Sequence, residues 1–230
     1  MNISKKSGLW TKPYILLSVT NFFAWLSYNM ITPVLTGYMG TLGASVSICG
    51  ITGGLFAFTS LLFRPVSGVL ADMKNRKHLM AGFTILMTVS LLIYSVIPSV
   101  PVILLFRGLH GVAFGISSTA SLVLVSESAP EERMGEAISY YGLMSVASMA
   151  IGPSLGIWLS AQAGYQVCML AGTVMLQLPV WRPCCFRIHA RCKPFQKRFP
   201  QKQSPGKVFV YRPLQKKVLS DYPESMLLLL

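Results

Sequence analysis

The sequence predicts an all-α membrane protein built as a bundle of six apolar helices, the sixth cut short. Three observations carry this expectation. The 230 residues are 53% hydrophobic and only 12% charged, whereas a soluble domain carries about 25% charged residues. Long apolar runs recur, of a length that crosses the roughly 30 Å hydrocarbon core of a bilayer. Finally, Lys and Arg fall in alternate links between those runs, the bias that orients membrane helices.

Residues 1–12 form a basic N-terminal segment with Lys5, Lys6 and Lys12. No small-residue cleavage pattern follows a short apolar core, so this is not read as a cleaved signal peptide. The first span is 13–39 and holds Asn21, Tyr28 and Asn29. Asn21 and Tyr28 are two helical turns apart and share a face. In lipid such a face turns toward the bundle interior. Two readings are open: the face lines a substrate cavity, or it supplies interhelical hydrogen bonds. Pro33 predicts a kink late in this span. The second span, 44–71, opens with Gly50, Gly53 and Gly54, small residues that favour close helix approach. The third, 79–97, is almost purely aliphatic and reads as a supporting, lipid-facing helix. The fourth is 101–126, the fifth 136–159, and the sixth, 165–180, is short for a span. Together, residues 13–180 make the transmembrane bundle.

Basic residues lie before the first span, between the second and third, and at Arg133 between the fourth and fifth. The links at 40–43, 98–101 and 160–164 contain none. The N-terminus is therefore expected in the cytoplasm, in a multi-pass protein of the plasma membrane.

The link Arg64–Lys77, RPVSGVLADMKNRK, packs Arg64, Asp72, Lys74, Arg76 and Lys77 between two nearly uncharged stretches. Asp72 near a helix C-terminus opposes the helix dipole unless cations answer it, and the basic run does so. Gly68 lies one turn before Asp72 and predicts a close neighbour. The link resembles the loop signature of the major facilitator superfamily of transporters, roughly G-x-L-A-D-R-x-G-R-K. Gly68, Leu70, Ala71, Asp72, Arg76 and Lys77 match; Met73 and Asn75 depart from it. Asn75 stands where the signature has glycine, and Asn tolerates the left-handed backbone such a turn uses.

Span four carries LLFRGLHGVAFG. An ionised residue such as Arg107 at membrane depth is a functional candidate by default. His110 follows three residues later on roughly the same face. Gly108, Gly111 and Gly115 narrow the helix. Span five carries Gly152, Pro153 and Gly156, a kinked, narrow packing segment in which proline removes a backbone donor. Both stretches resemble signatures of the drug–proton antiporter branch of the superfamily. Ser139, Ser148 and Ile157 depart from that pattern. The resemblance implies that Arg107, with His110 as a titratable neighbour, assists proton coupling. The alternatives are a structural role for Arg107 and a packing role for His110. It also implies that Glu127 and Arg133, with Arg64, Gly68, Asp72, Arg76 and Lys77, form a cytoplasmic gate, Arg133 pairing with Asp72 or Glu127. Glu131, Glu132 and Glu136 surround a helix start, where carboxylates meet the positive dipole end. No Asp or Glu lies mid-span in spans one to five; Glu136 stands at the start of the fifth.

From Trp181 the chain turns basic and rich in Pro and Cys. Residues 1–180 carry net +4, residues 181–230 net +9. The expectation is a cytoplasmic tail from a shifted reading frame or a damaged gene, drawn to anionic lipid headgroups. Cys184, Cys185, His189 and Cys192 match no standard zinc spacing, so no metal is expected. The basic run lacks a nucleic-acid-binding motif. No phosphate-cradling glycine loop and no nucleophile–base arrangement occurs, so no cofactor and no enzymatic activity are expected. The resemblance implies a secondary transporter exporting small molecules against a proton gradient by alternating access. Its partners are a small-molecule substrate, protons, the lipid bilayer, and a missing C-terminal half or a second copy. The alternatives are a non-transporting remnant or partner-dependent half, and a sugar or metabolite uptake carrier.

Overall fold

The computed structural model describes residues 8–73 and 75–177. Lys74, the Asp72 side chain, the end of the sixth predicted span and the basic segment 181–230 with its Cys and His residues lie outside the described residues. Among those described there are seven α-helices and one 3₁₀ turn: α1 (Lys12–Thr41), α2 (Val46–Leu62), α3 (Arg64–Met73), α4 (Arg76–Val96), α5 (Val100–Ser128), the turn Glu131–Arg133, α6 (Met134–Ala163) and α7 (Tyr165–Gln177).

Local chemistry sets the ends. Thr11 caps α1, its hydroxyl accepting from the Tyr14 N–H at 3.4 Å, and Pro13 occupies the first turn, where its missing N–H costs nothing. Ser45 caps α2 and Asn75 caps α4 through side-chain oxygens. This corrects the expected role of Asn75: its φ is −68°, so it serves as an N-cap rather than a left-handed turn residue. Gly43 and Gly164, at φ 81° and 86°, close the α1–α2 and α6–α7 links in backbone that a side chain would strain.

Four helices, α1, α4, α5 and the turn plus α6, are long and apolar enough to cross a membrane. The second predicted span is not one helix. It breaks at Phe63 into α2 and α3, which meet at 41° and together pass the same test. Thus the chain forms a multi-pass helical bundle. α1 runs uninterrupted through Pro33.

Side-chain contacts fix helix directions. Tyr14 meets Ala137, Asn21 meets Tyr141 and Ser145, and Gly156 abuts Met30. Contacts that rise together along both chains make α1 and α6 parallel. Arg107–Thr52 and Gly115–Ser60 make α2 and α5 parallel. Thr84–Ser117 together with Tyr94–His110 makes α4 and α5 antiparallel, and Ser27–Gly172 with Tyr38–Tyr165 does the same for α1 and α7. Counting α2 and α3 as one bent segment, successive segments therefore alternate in direction. The α3–α4 and α5–α6 links share one end with the start of α1. Among the described residues Arg76, Lys77 and Arg133 sit at these links, and the links at the opposite end carry no charged residue.

Two apolar clusters fill the bundle. The larger joins Met30, Ile31, Leu35, Phe56, Leu91, Tyr94, Phe114 and Met169 toward the uncharged end. The smaller joins Leu9, Tyr14, Leu17, Leu124, Val125 and Tyr141 at the charged end. Glycines enable the tightest crossings. A Cβ on Gly111 would meet the Phe56 carbonyl oxygen at 2.6 Å, and one on Gly115 the Ser60 carbonyl oxygen at 2.8 Å. By contrast, a Cβ on Gly50, Gly53, Gly54 or Gly68 would meet nothing within 4 Å. Those four glycines were expected to mark close approaches and do not within this chain, because they lie on faces with no facing helix.

Candidate functional site

The site is built around Arg107, the third residue of the Leu105–Phe106–Arg107 stretch on α5 and about 10 Å along the helix from its uncharged end. Its side chain is 1% exposed. Nε donates to the Thr52 carbonyl at 3.2 Å and Nη2 to Thr32 Oγ1 at 3.0 Å. The guanidinium lies 4.8 Å from the Phe56 ring centre and 5.7 Å from that of Tyr28, within cation–π range. The Tyr94 phenol lies beside it, yet neither Tyr94 Oη nor Arg107 Nη1 has a hydrogen-bond partner. Among the described residues, the acceptors of this cation are therefore neutral.

His110, one turn on, is also 1% exposed. Its ring meets Phe56 edge-on at 5.3 Å and Tyr94 at 6.2 Å. Neither ring nitrogen has a partner. Between these residues and the open side of the bundle stands an aromatic wall. Tyr28 stacks on Phe56 at 4.2 Å, and Trp25 meets Phe114 at 5.0 Å. Trp25, Tyr28 and Thr32 are half-buried, so the wall can be reached from outside the bundle.

The other predicted cavity residues divide. Tyr28 belongs to this wall. Asn21 instead donates to the Tyr141 carbonyl and to Ser145 Oγ, each at 3.1 Å, and so serves as a bridge between α1 and α6. Asn29 donates to the Trp25 carbonyl within its own helix. Its Cβ abuts Gly152, where an added Cβ would lie 2.7 Å away. Gly156 lies against the Met30 backbone, and Pro153, inside α6, lets the helix continue to Ala163.

Asn21 also borders a small, mainly apolar pocket nearer the charged end, where Met80, Met87 and Leu176 surround the polar groups of Thr84, Ser117, Ser121 and Tyr141. Its volume of about 30 Å³ suits about two water molecules. Thr84 and Ser117 hydroxyls lie 3.2 Å apart, and Tyr141 donates to Ser121 Oγ at 3.0 Å.

At the charged end, Arg76 pairs with Glu127, whose side chain is 2% exposed, and its Nε donates to the Ala71 carbonyl at 2.8 Å. Arg133 forms a two-point pair with Glu136, both bonds at 2.7 Å. The expected pairing of Arg133 with Glu127 is therefore replaced: Glu136 lies one turn on, within reach of Arg133, while the buried Glu127 is taken by Arg76. Arg64 heads α3, where its carbonyl accepts from Ser67 Oγ at 2.6 Å. Lys77 opens α4 behind the Asn75 cap, and Gly68 sits mid-α3.

Sequence reading missed Thr32, Thr52, Phe56, Tyr94 and Phe114. Two signals were present. Tyr28 and Thr32 are four apart on α1, and Arg107, His110 and Phe114 follow three- and four-residue spacing on α5. Nothing in the sequence paired those faces with Phe56 or Tyr94.

Comparison with known proteins bears on the whole. The family model described as Major Facilitator Superfamily matches residues 17–218. The chain is 24% identical over 188 residues to the multi-drug resistance efflux pump PmrA of Streptococcus pneumoniae, covering 80% of this chain and 47% of that protein. It is 28% identical over 161 residues to the inner membrane transport protein YajR of Escherichia coli, covering 68% and 35%. It is 25% identical over 145 residues to the quinolone resistance protein NorA of Staphylococcus aureus, covering 63% and 37%. The chain thus spans about half or less of the length of these relatives. Together with the alternating helical bundle, the match establishes that the chain belongs to the Major Facilitator Superfamily.

Proposed function

We propose that this chain is the six-span N-terminal bundle of a proton-coupled exporter of small molecules, working by alternating access. The carrying observation is Arg107: a cation buried in a lipid-spanning helix, behind an aromatic wall open to one side. Its burial is costly, and a structural account supplies no paired anion to offset it. Relatives named as efflux pumps support the direction of transport. In this reading Trp25, Tyr28 and Thr32 line the substrate path. Arg107, with His110 as a titratable neighbour, assists proton coupling, and the Arg76–Glu127 pair, with Asp72, Arg64, Gly68, Lys77 and Arg133, latches the cytoplasmic face. The N-terminus lies in the cytoplasm of a plasma-membrane protein. Alternating access needs a second body to rock against.

A partner-dependent half is the second reading. It is favoured by the large apolar side chains that α2 and α6 leave exposed, among them Phe58, Leu61, Val146 and Met149. A second bundle would cover these, either a second copy or a C-terminal half.

The test is reconstitution into vesicles with an imposed pH gradient and an enclosed pH-sensitive dye. Substrate-triggered proton flux that Arg107→Gln abolishes supports the proposal. Absence of substrate-triggered flux from the unaltered chain overturns it in favour of a non-transporting bundle, flux that Arg107→Gln leaves unchanged overturns the coupling role of Arg107, and accumulation in place of extrusion favours an uptake carrier.

A further inference from the structure

Resting on the reading of this bundle as a carrier, we infer that its substrates are aromatic organic anions rather than cations. The argument starts from charge. Residues 8–71, 78–126 and 137–177 contain no Asp or Glu, so neither the walls of the outer bundle nor its interior offers a counter-charge to a bound cation. Lys12 and Arg64 in these stretches are exposed, whereas Arg107 is positive and buried, and the groups it touches are a backbone carbonyl, a threonine hydroxyl and two ring faces.

Four further hydrogen-bonding atoms beside it lack partners: Arg107 Nη1, Tyr94 Oη, His110 Nδ1 and His110 Nε2. Leaving such atoms unpaired is unfavourable. A carboxylate would answer the donors among them, since a guanidinium edge matches its two oxygens and a phenol can add a third donor. Entry lies at half-buried Thr32 and Tyr28, where a ligand oxygen takes the place of Thr32 Oγ1 on Nη2. The body of the ligand then lies along Tyr28 and Trp25, rings placed to stack with a second ring. A cation in the same seat meets the Arg107 charge at short range with no acid to offset it.

The experiment compares two probes of equal size on the full chain in lipid nanodiscs: 2-naphthoate and 2-naphthyltrimethylammonium, measured by equilibrium dialysis. The expected result is naphthoate binding tighter by about tenfold or more, as one charge-assisted pair supplies. Arg107→Gln brings the two probes to similar affinity. Arg107→Lys, which keeps the charge but not the two-point edge, retains part of the preference and guards against a Gln variant that misfolds. Chloride at matched concentration fails to displace naphthoate. Displacement by chloride overturns the aromatic part of the inference. Equal or tighter binding of the cation overturns the inference while the carrier reading stands. Binding of neither probe counts against both.

Discussion

The closest helix crossing in the bundle makes a sharp prediction. At Gly156 an added Cβ would lie 2.9 Å from both the carbonyl carbon and Cγ of Met30, and closer still to the carbonyl oxygen. Backbone cannot rotate away as a side-chain tip can, so Gly156→Ala must part α1 from α6. Overpacking of this kind costs about 1–3 kcal/mol. The same substitution gains about 1 kcal/mol of helix propensity, which blurs the reading of a single variant. Gly142 supplies the correction. It lies two turns into the same helix, and a Cβ there meets nothing within 4 Å. Gly142→Ala takes the propensity gain without the clash, so the difference between the two variants isolates the crossing. That difference should be about 1–3 kcal/mol, with Gly156→Ala the less stable. Reversible unfolding in mixed micelles of dodecyl maltoside and dodecyl sulfate, followed by circular dichroism, measures it. Equal stability of the two variants would refute the α1–α6 packing described above.

The hydrogen bonds and the ion pairs carry four further predictions. Tyr14→Phe removes a 2.9 Å bond to the Ala137 carbonyl and should cost about 1 kcal/mol. Tyr94→Phe removes a hydroxyl without a partner and should leave stability unchanged or slightly raised in the same unfolding assay. Glu127→Ala removes the anion paired with the partly buried Arg76 and should cost about 3 kcal/mol; Arg133→Ala, at an exposed pair, should shift the unfolding midpoint far less. A double-substitution cycle on Arg76 and Glu127 should give a clear coupling, and additive effects would contradict the pair.

Much of the fold was legible because the membrane constrains it so strongly. The apolar runs and the alternation of Lys and Arg placed α1, α4, α5 and α6 to within a few residues. The break at Phe63 was missed because the run through Leu61, Leu62 and Phe63 is as apolar as any helix interior, although Pro65 marks it: proline disfavours helical backbone just before it and suits the first turn of α3. Glycine patterns were ambiguous for a physical reason. Gly50 and Gly111 read alike in sequence, yet only Gly111 has a helix opposite it. Arg107 and His110 stood out as polar residues in apolar surroundings. Their environment did not, because Phe56 and Tyr94 look like ordinary core residues until α2 and α4 are folded against α5. The charge pairs went partly astray for a similar reason: Glu136 and Glu127 both lie within reach of Arg133 along the chain, and only the burial of Glu127 beside Arg76 decides between them.

The central claim is that the side of α1 beside Arg107 borders water rather than lipid. The direct measurement is labelling of Tyr28→Cys and Thr36→Cys by a membrane-impermeant thiol reagent in intact membranes, over the background of the native cysteines. Ile85→Cys, on an exposed apolar face of α4 that is 57% exposed, serves as the lipid-facing control. The account predicts that the two α1 positions react while Ile85→Cys stays silent. Equal silence at all three positions would contradict it.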